Sequence, residues 1–401
     1  MKVLDILHND IAAAYPHIHK TRLNTLFTFV RSGACDQRVA VTYLGRGLKA
    51  NSQTTKKHDI KRADRLIGNS YLHQERLAYY EHMAECLVGT QQHPLIIVDW
   101  SPINGSEIFQ VLRASIPMGG RALTLYEKAY PESELNSEAA HQHLLDCLEK
   151  CLPVDYQPII LSDAIFRTPW FKAIEEKGWY WLGRVRGNVS LSADKTTWFS
   201  CKEWFKQATN EAQTIANIYY GKSVQFHCQA VLYKGQPKGR QKNKKRGGPS
   251  QCTTAKYQQK KAKEPWLLVF NLPPRLAANA TKVVKLYKQR MQIEENFRDT
   301  KNARVGISLA YANSRSAERF DNLLLIAALI LFVLWCAGYA ASALKHDRAL
   351  QANTETKRRV LSYVYIGREV IDDPRYLPDQ EVMIYIYSQL STLAITIDSI
   401  G

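Results

Sequence analysis

Two short runs limit the fold of this chain more than any other feature. PLIIVDW (94–100) and PIILSDAIF (158–166) are apolar stretches of the kind found in strands covered on both faces, and each is interrupted by an aspartate, Asp99 and Asp163. Burying an ionised carboxylate in such a strand is costly unless something compensates it. One such aspartate could be neutral or paired with an arginine. Two, on strands that could lie side by side, suggest a shared cation, and hard divalent ions such as Mg²⁺ take oxygen ligands of this type. The alternative is two unrelated aspartates at strand ends.

The pattern around them predicts an α/β fold. Residues 1 to about 75 read as helical. PLIIVDW, IFQVLRASIPM and RALTLYEKAY are then three β-rich runs, separated by the turn signals Asn104-Gly105 and Gly119-Gly120. A helix follows in SEAAHQHLLDCLEKCL, with Ser137 as its N-cap, and then the strand PIILSDAIF. Thr168-Pro169 opens a further helix, and WYWLGRVRGNV reads as another strand. Three strands, helix, strand, helix, strand imply a mixed sheet. From about 190 to 265 the pattern weakens to short β-like runs and a basic loop. Lys238 to Lys263 holds ten Lys/Arg, among them Lys244, Lys245 and Arg246, and no acid. Ordered structure resumes with WLLVFNLPP (266–274), and beyond about 345 the chain is helical and uninformative.

The chain has 401 residues, 45% hydrophobic and 23% charged, enough for a large core and two or three domains. A net charge of +17 points to a polyanionic partner, nucleic acid before anionic membrane. KKHDIKRADRL (56–66) is a basic amphipathic helix bearing Lys61, Arg62 and Arg65; it suits DNA contact or a solvated face. Leu323 to Leu344 is 22 residues without a charge, long enough to cross a bilayer or to form a helix buried on several sides. Its small-residue end, AGYAASA, suits close packing. The eight cysteines include no C-x-x-C pair and read as reduced thiols of a cytoplasmic protein. Asp5 and Asp10 exclude a signal peptide at the N-terminus.

LYKQRMQIEENFRDTKN (286–302) reads as one helix. With Tyr287 at zero, Arg290, Glu294 and Lys301 fall near 300°, 340° and 320°, within about 60° of arc. Glu295 and Asp299 fall near 80° and 120°, off that face. Two cations and a phenol suit a phosphate-rich ligand. Glu294 is either an ion-pair partner of Arg290 or the third carboxylate of a metal site.

Taken together, these residues resemble bacterial insertion-sequence transposases with an Asp-Asp-Glu triad on a ribonuclease-H-like core. The spacing from Tyr287 through Arg290 and Glu294 to Lys301 is similar to their Tyr-Arg-Glu-Lys signature, in the branch that includes the transposon-ten transposase. HDIKRADRLIGN, VLRASIPMGGRALTLYEKAYP, WYWLGRVRG and KQRMQIEENFRD are similar to that branch. The resemblance implies a helical DNA-end-binding domain at 1–75, a catalytic core at 76–189 and 266–344, a β-rich basic insertion at 190–265 and a helical C-terminal region at 345–401.

The resemblance further implies that Asp99, Asp163 and Glu294 bind two Mg²⁺, for which Mn²⁺ would substitute, and that Tyr287, Arg290 and Lys301 hold phosphates near the transposon end. Trp266 would stack a flipped base during hairpin formation, or else be a core tryptophan starting a strand. The implied reaction is nick, hairpin, hairpin resolution and joining of 3′ ends to target DNA, by a DNA-bound homodimer at the bacterial nucleoid, without a membrane. A stand-alone nuclease on the same core, a non-catalytic DNA-binding derivative and a membrane-anchored basic protein are the competing expectations.

Overall fold

A computed structural model of the chain describes every residue except 1, 49–53, 106–107, 237–251, 253–263, 353, 356, 372, 374, 398 and 401. The expected basic-loop residues Lys244, Lys245 and Arg246 lie outside the described residues. Helices α1 (Lys2–Ala14), α2 (Lys20–Asp36), α3 (Val41–Arg46), α4 (Lys56–Ile67) and α5 (Ser70–Val88) open the chain. The expected order of strands and helices follows: β1 (Leu95–Pro102), β2 (Phe109–Pro117), β3 (Ala122–Pro131), α6 (Glu138–Cys151), β4 (Ile159–Ser162), α7 (Thr168–Glu176) and β5 (Tyr180–Val185). Next come β6 (Ser190–Ser192), β7 (Phe199–Ser200), α8 (Cys201–Phe205), β8 (Gln213–Tyr220), β9 (Phe226–Tyr233) and β10 (Trp266–Asn271). The remaining helices are α9 (Pro274–Ala277), α10 (Ala280–Lys288), α11 (Met291–Lys301), α12 (Ala317–Ala343), α13 (Asp347–Leu350), α14 (Tyr363–Val370), α15 (Gln380–Ser388) and α16 (Leu390–Leu393).

The chain divides into two compact units. The first joins Met1–Tyr156 to Met291–Thr396; the second comprises Gln157–Arg290 and Ile397–Gly401. In the first unit β1, β2 and β3 form an antiparallel meander. Gly119 and Gly120 take φ values of 75° and 105° at the β2–β3 turn, a conformation that needs glycine. Ser137 caps α6, accepting the Ala140 amide as expected. In the second unit β4 and β5 run parallel, and the strand order is β4-β5-β10-β9-β8-β6-β7, antiparallel beyond β5. Parallel and antiparallel pairing therefore both occur, as a mixed α/β fold requires.

The long apolar segment is α12. Its most apolar stretch has a mean hydropathy of 2.5, enough to cross a membrane, but is 94% buried within the fold. It packs on α2, α5 and β3 from one side of the sequence and on α14 and α15 from the other. A helix apolar all round is stable in water only when enclosed in this way. The α12–α14 crossing is close: a Cβ on Gly338 would run into the Tyr363 carbonyl, and one on Gly367 into the Leu334 carbonyl.

Three expectations are corrected. The stretch 286–302 is two helices, not one. The Gln289 and Arg290 amides bond three residues back, to Leu286 and Tyr287 (3.0 and 3.1 Å), which tightens the chain and ends α10 before α11 begins. Asp163 lies one residue beyond β4, because its carboxylate turns to accept the Ile165 amide (2.8 Å) and ends the strand. The cap of α7 is Arg167, one residue before the expected Thr168, with Pro169 still in the first turn.

Candidate active site

In the first unit the site is built on β1 and α11. Asp99 is buried on β1, directly opposite Arg113 of β2, and its Oδ1 accepts the Trp100 amide at 2.9 Å. Two residues on, and so on the same face of the strand, Ser101 Oγ accepts Lys301 Nζ at 2.6 Å. The Pro102 carbonyl accepts the same ammonium at 3.0 Å. Burial pushes Lys301 down to about 8; Arg113 adds to that shift and Asp99 opposes it. Glu294 is exposed on α11. It stands seven residues before Lys301, on the same helical face and about 10 Å along the axis.

The rest of α11 is fastened to the β2–β3 hairpin by polar side chains. Gln292 Oε1 accepts the Met118 and Gly120 amides at 3.1 and 2.9 Å. Asn296 and Thr300 accept from Arg113. Asp299 accepts Arg121 Nε at 2.7 Å. Glu295 pairs with Arg121 (3.3 Å) and Arg298 (2.9 Å). The two acids that the angular count set apart from Glu294 are thus engaged in local ion pairs.

The second unit holds the other expected residues. Asp163 is half-buried after β4. Trp266, half-buried at the start of β10, meets Tyr287 edge to face at 5.2 Å and Tyr233 at 6.0 Å. Arg184 lies over its ring at 5.9 Å, and Lys288 over Tyr233 at 5.5 Å. Burial, then the neighbouring Arg186, pushes Arg184 down to about 10; Tyr287 and Glu264 act against this, and Arg290 adds to it. Arg186 Nε donates to Glu264 at 2.6 Å. Trp266 therefore sits between two tyrosine rings with a guanidinium over its face. On α4, Lys61, Arg62 and Arg65 are all exposed. Among the described residues, no group of three or more His, Cys, Asp or Glu side chains that could hold a metal ion comes together.

A family model described as Transposase DDE domain matches residues 90–331. The chain belongs to the transposase DDE domain family. No curated protein matches it. The matched segment contains every residue built into the site above from β1 to α11.

Several residues that shape this transposase were not found by sequence reasoning. Arg113, Glu127, Gln292, Asn296 and Arg121 look in sequence like ordinary polar positions of a strand or an exposed helix. A polar stripe at 292, 296 and 299 mimics a solvated face, and only its partners on the hairpin show that it is buried. Arg184, over the Trp266 ring, and Arg186, paired with Glu264, stand in the run WYWLGRVRG, where alternation was the one available signal. Asp299 has a measurable consequence. Burial pushes its carboxyl up to about 6, while Arg121 pulls it back. A folded-state value above the ordinary 3.8 means stability present in full below that value and lost as pH rises through 6. Asp299→Asn should therefore gain stability relative to wild type between pH 4 and 7, by at most about 3 kcal/mol, in urea titrations at both pH values. A variant-to-wild-type difference that stays constant over this range would refute it.

Proposed function

We propose that this transposase is a cut-and-paste enzyme of the insertion-sequence type, with a ribonuclease-H-like core in which Asp99, Asp163 and Glu294 are the metal-binding carboxylates. The observation that carries the reading is the β1–α11 arrangement: a buried aspartate on a strand, with the lysine of the α11 face that bears Glu294 bonded two residues further along that strand. An oxygen-only donor set suits a hard divalent cation. Two Mg²⁺ ions, or Mn²⁺ in their place, would supply Lewis acidity for the attacking hydroxyl and the leaving oxygen.

The chain's own residues supply the rest. Lys301, held by Ser101 and Pro102 next to Asp99, brings a cation to the phosphate. Tyr287 and Arg290 hold the backbone near the transposon terminus, and Trp266 stacks a base turned out of the duplex. Lys61, Arg62 and Arg65 on α4 contact the terminal repeat, and the segment with Lys244, Lys245 and Arg246 adds phosphate contacts. A first nick by water leaves a 3′-hydroxyl, which attacks a phosphodiester of the opposite strand, closing a hairpin and releasing the flanking strand's 3′-hydroxyl; water reopens the hairpin, and the freed 3′-hydroxyl attacks a target phosphodiester, displacing a target 3′-hydroxyl. Two copies pair two ends, in the bacterial cytoplasm at the nucleoid.

The deciding experiment incubates the protein with its own element's ends and Mg²⁺ and resolves nicks and hairpins on a denaturing gel. Nicks without hairpins or joined products would favour a stand-alone nuclease. Trp266→Ala should reduce hairpin formation by about 10-fold or more, the worth of one stacked base, while the first nick changes little. Equal losses in both steps would assign Trp266 to packing against Tyr233 and Tyr287.

A further inference from the structure

We propose that Arg113 is a positioning residue that sets the register of the helix bearing Glu294 against the strand bearing Asp99. This rests on the reading of those two carboxylates as metal ligands. Arg113 is 1% exposed and stands directly opposite Asp99 across the β1–β2 pair. Its Nε and one terminal nitrogen lie 2.7 and 2.6 Å from a single oxygen of Glu127, itself fully buried. The other terminal nitrogen donates to Asn296 Oδ1 and, at 3.1 Å, to Thr300 Oγ1. The guanidinium lies over the Phe297 ring at 4.5 Å.

One rigid planar fork therefore engages α11 at three positions, 296, 297 and 300, spread over more than one turn. That fixes both the rotation of the helix and its slide along its axis. Glu294 lies just before the first of these positions and Lys301 just after the last. Gln292 and Asp299 tie α11 to the turn end of the β2–β3 hairpin; Arg113 is the contact made from the β2 position opposite Asp99. A turn of about 20° about the helix axis moves a side-chain head group by about 2 Å, and misplacement of about 1 Å is enough to cost a catalytic site about 100-fold. A buried ion pair adds little net stability compared with apolar residues, whereas it does specify geometry. The Arg113–Glu127 pair, opposite Asp99 on the strand and bonded to the helix at Asn296 and Thr300, is assigned that role.

The test separates positioning from folding. The double variant Asn296→Ala/Thr300→Val keeps the Arg113–Glu127 pair and the Phe297 ring contact and removes both hydrogen bonds from Arg113 to α11; Asn296→Ala alone is the milder second variant. On the full-length protein, thermal melting, end-DNA binding, the single-turnover rate of the first nick and Mn²⁺ affinity by electron paramagnetic resonance are measured. The double variant should stay folded, with a lowered melting temperature because one Arg113 nitrogen loses both acceptors, and should bind ends as wild type does, while its nick rate falls and its Mn²⁺ dissociation constant rises, each by about 10–100-fold. The single variant should show the same signs at smaller size. Val333→Ala, in the buried face of α12, controls for lost stability and should lower the melting temperature without changing nick rate or Mn²⁺ affinity. A folded Asn296 variant with wild-type nicking and Mn²⁺ binding overturns the inference. If Asp99→Ala and Glu294→Ala themselves leave Mn²⁺ binding and nicking intact, the metal-site reading has failed instead.

Discussion

Asp99→Ala, Asp163→Ala and Glu294→Ala should each abolish Mg²⁺-dependent cleavage while leaving binding to transposon ends in place. Removing one metal ligand forfeits several kcal/mol of transition-state charge stabilisation, a loss of about 10³-fold or more in rate. The end contacts proposed for α4 lie on a different element, so a mobility shift with end DNA should be unchanged. Wild-type-like nicking by any one of the three would remove that residue from the site. Glu295→Gln is the matched control. Its carboxylate is paired with Arg121 and Arg298, so the variant should keep much of its activity.

The largest effect on stability is expected at Asp321. This α12 carboxylate is 1% exposed and accepts three donors: the Ala129 amide at 2.7 Å, Arg76 at 2.9 Å and His73 at 3.0 Å. Ala129 lies on β3, whose paired side faces β2, so its amide belongs to the outer edge of the meander. Arg76 donates to the Glu127 carbonyl of the same edge at 2.7 Å. Burial opposes the Arg76 charge most, but Asp321, Tyr80 and Tyr126 together outweigh it and hold the guanidinium above its ordinary value. Asp321→Ala leaves a buried cation without its counter-charge and a strand amide without an acceptor. The expected cost is about 3–5 kcal/mol in urea denaturation. Replacing both partners, as Arg76→Met with Asp321→Leu, should recover part of it. A cost below about 1 kcal/mol for Asp321→Ala would show that the edge is held by other means.

Much of the framework was legible because it rests on local signals. The apolar runs of β1, β2 and β3, the glycines of the β2–β3 turn and the serine cap of α6 each act over a few residues. The order of strands and helices through β5 follows from them. What was not legible depends on partners distant in sequence. The helical repeat runs through Gln289 and Arg290 without interruption, so periodicity could not show the break between α10 and α11. Nor could it show that Gln292, Asn296 and Thr300 point inward, because their acceptors and donors lie on a hairpin far earlier in the chain. For the site, residue type and spacing brought out Asp99, Glu294 and Lys301. The sequence could not show that Lys301 bonds the strand backbone at Pro102, or that Arg113 stands opposite Asp99.

The enclosure of α12 has a consequence for how the protein is made. Translation completes this helix after α2, α5 and β3, the surfaces on which it packs, and before α14 and α15, which cover it from the other side. In the interval, a face of the chain's most apolar helix is open to water or to whatever else binds a hydrophobic segment at the ribosome. A message cut short between codons 343 and 363 extends that interval indefinitely. The product would retain β1 and α11 but lack the cover for α12. A chain without the C-terminal helices would therefore carry an open hydrophobic surface, which favours aggregation.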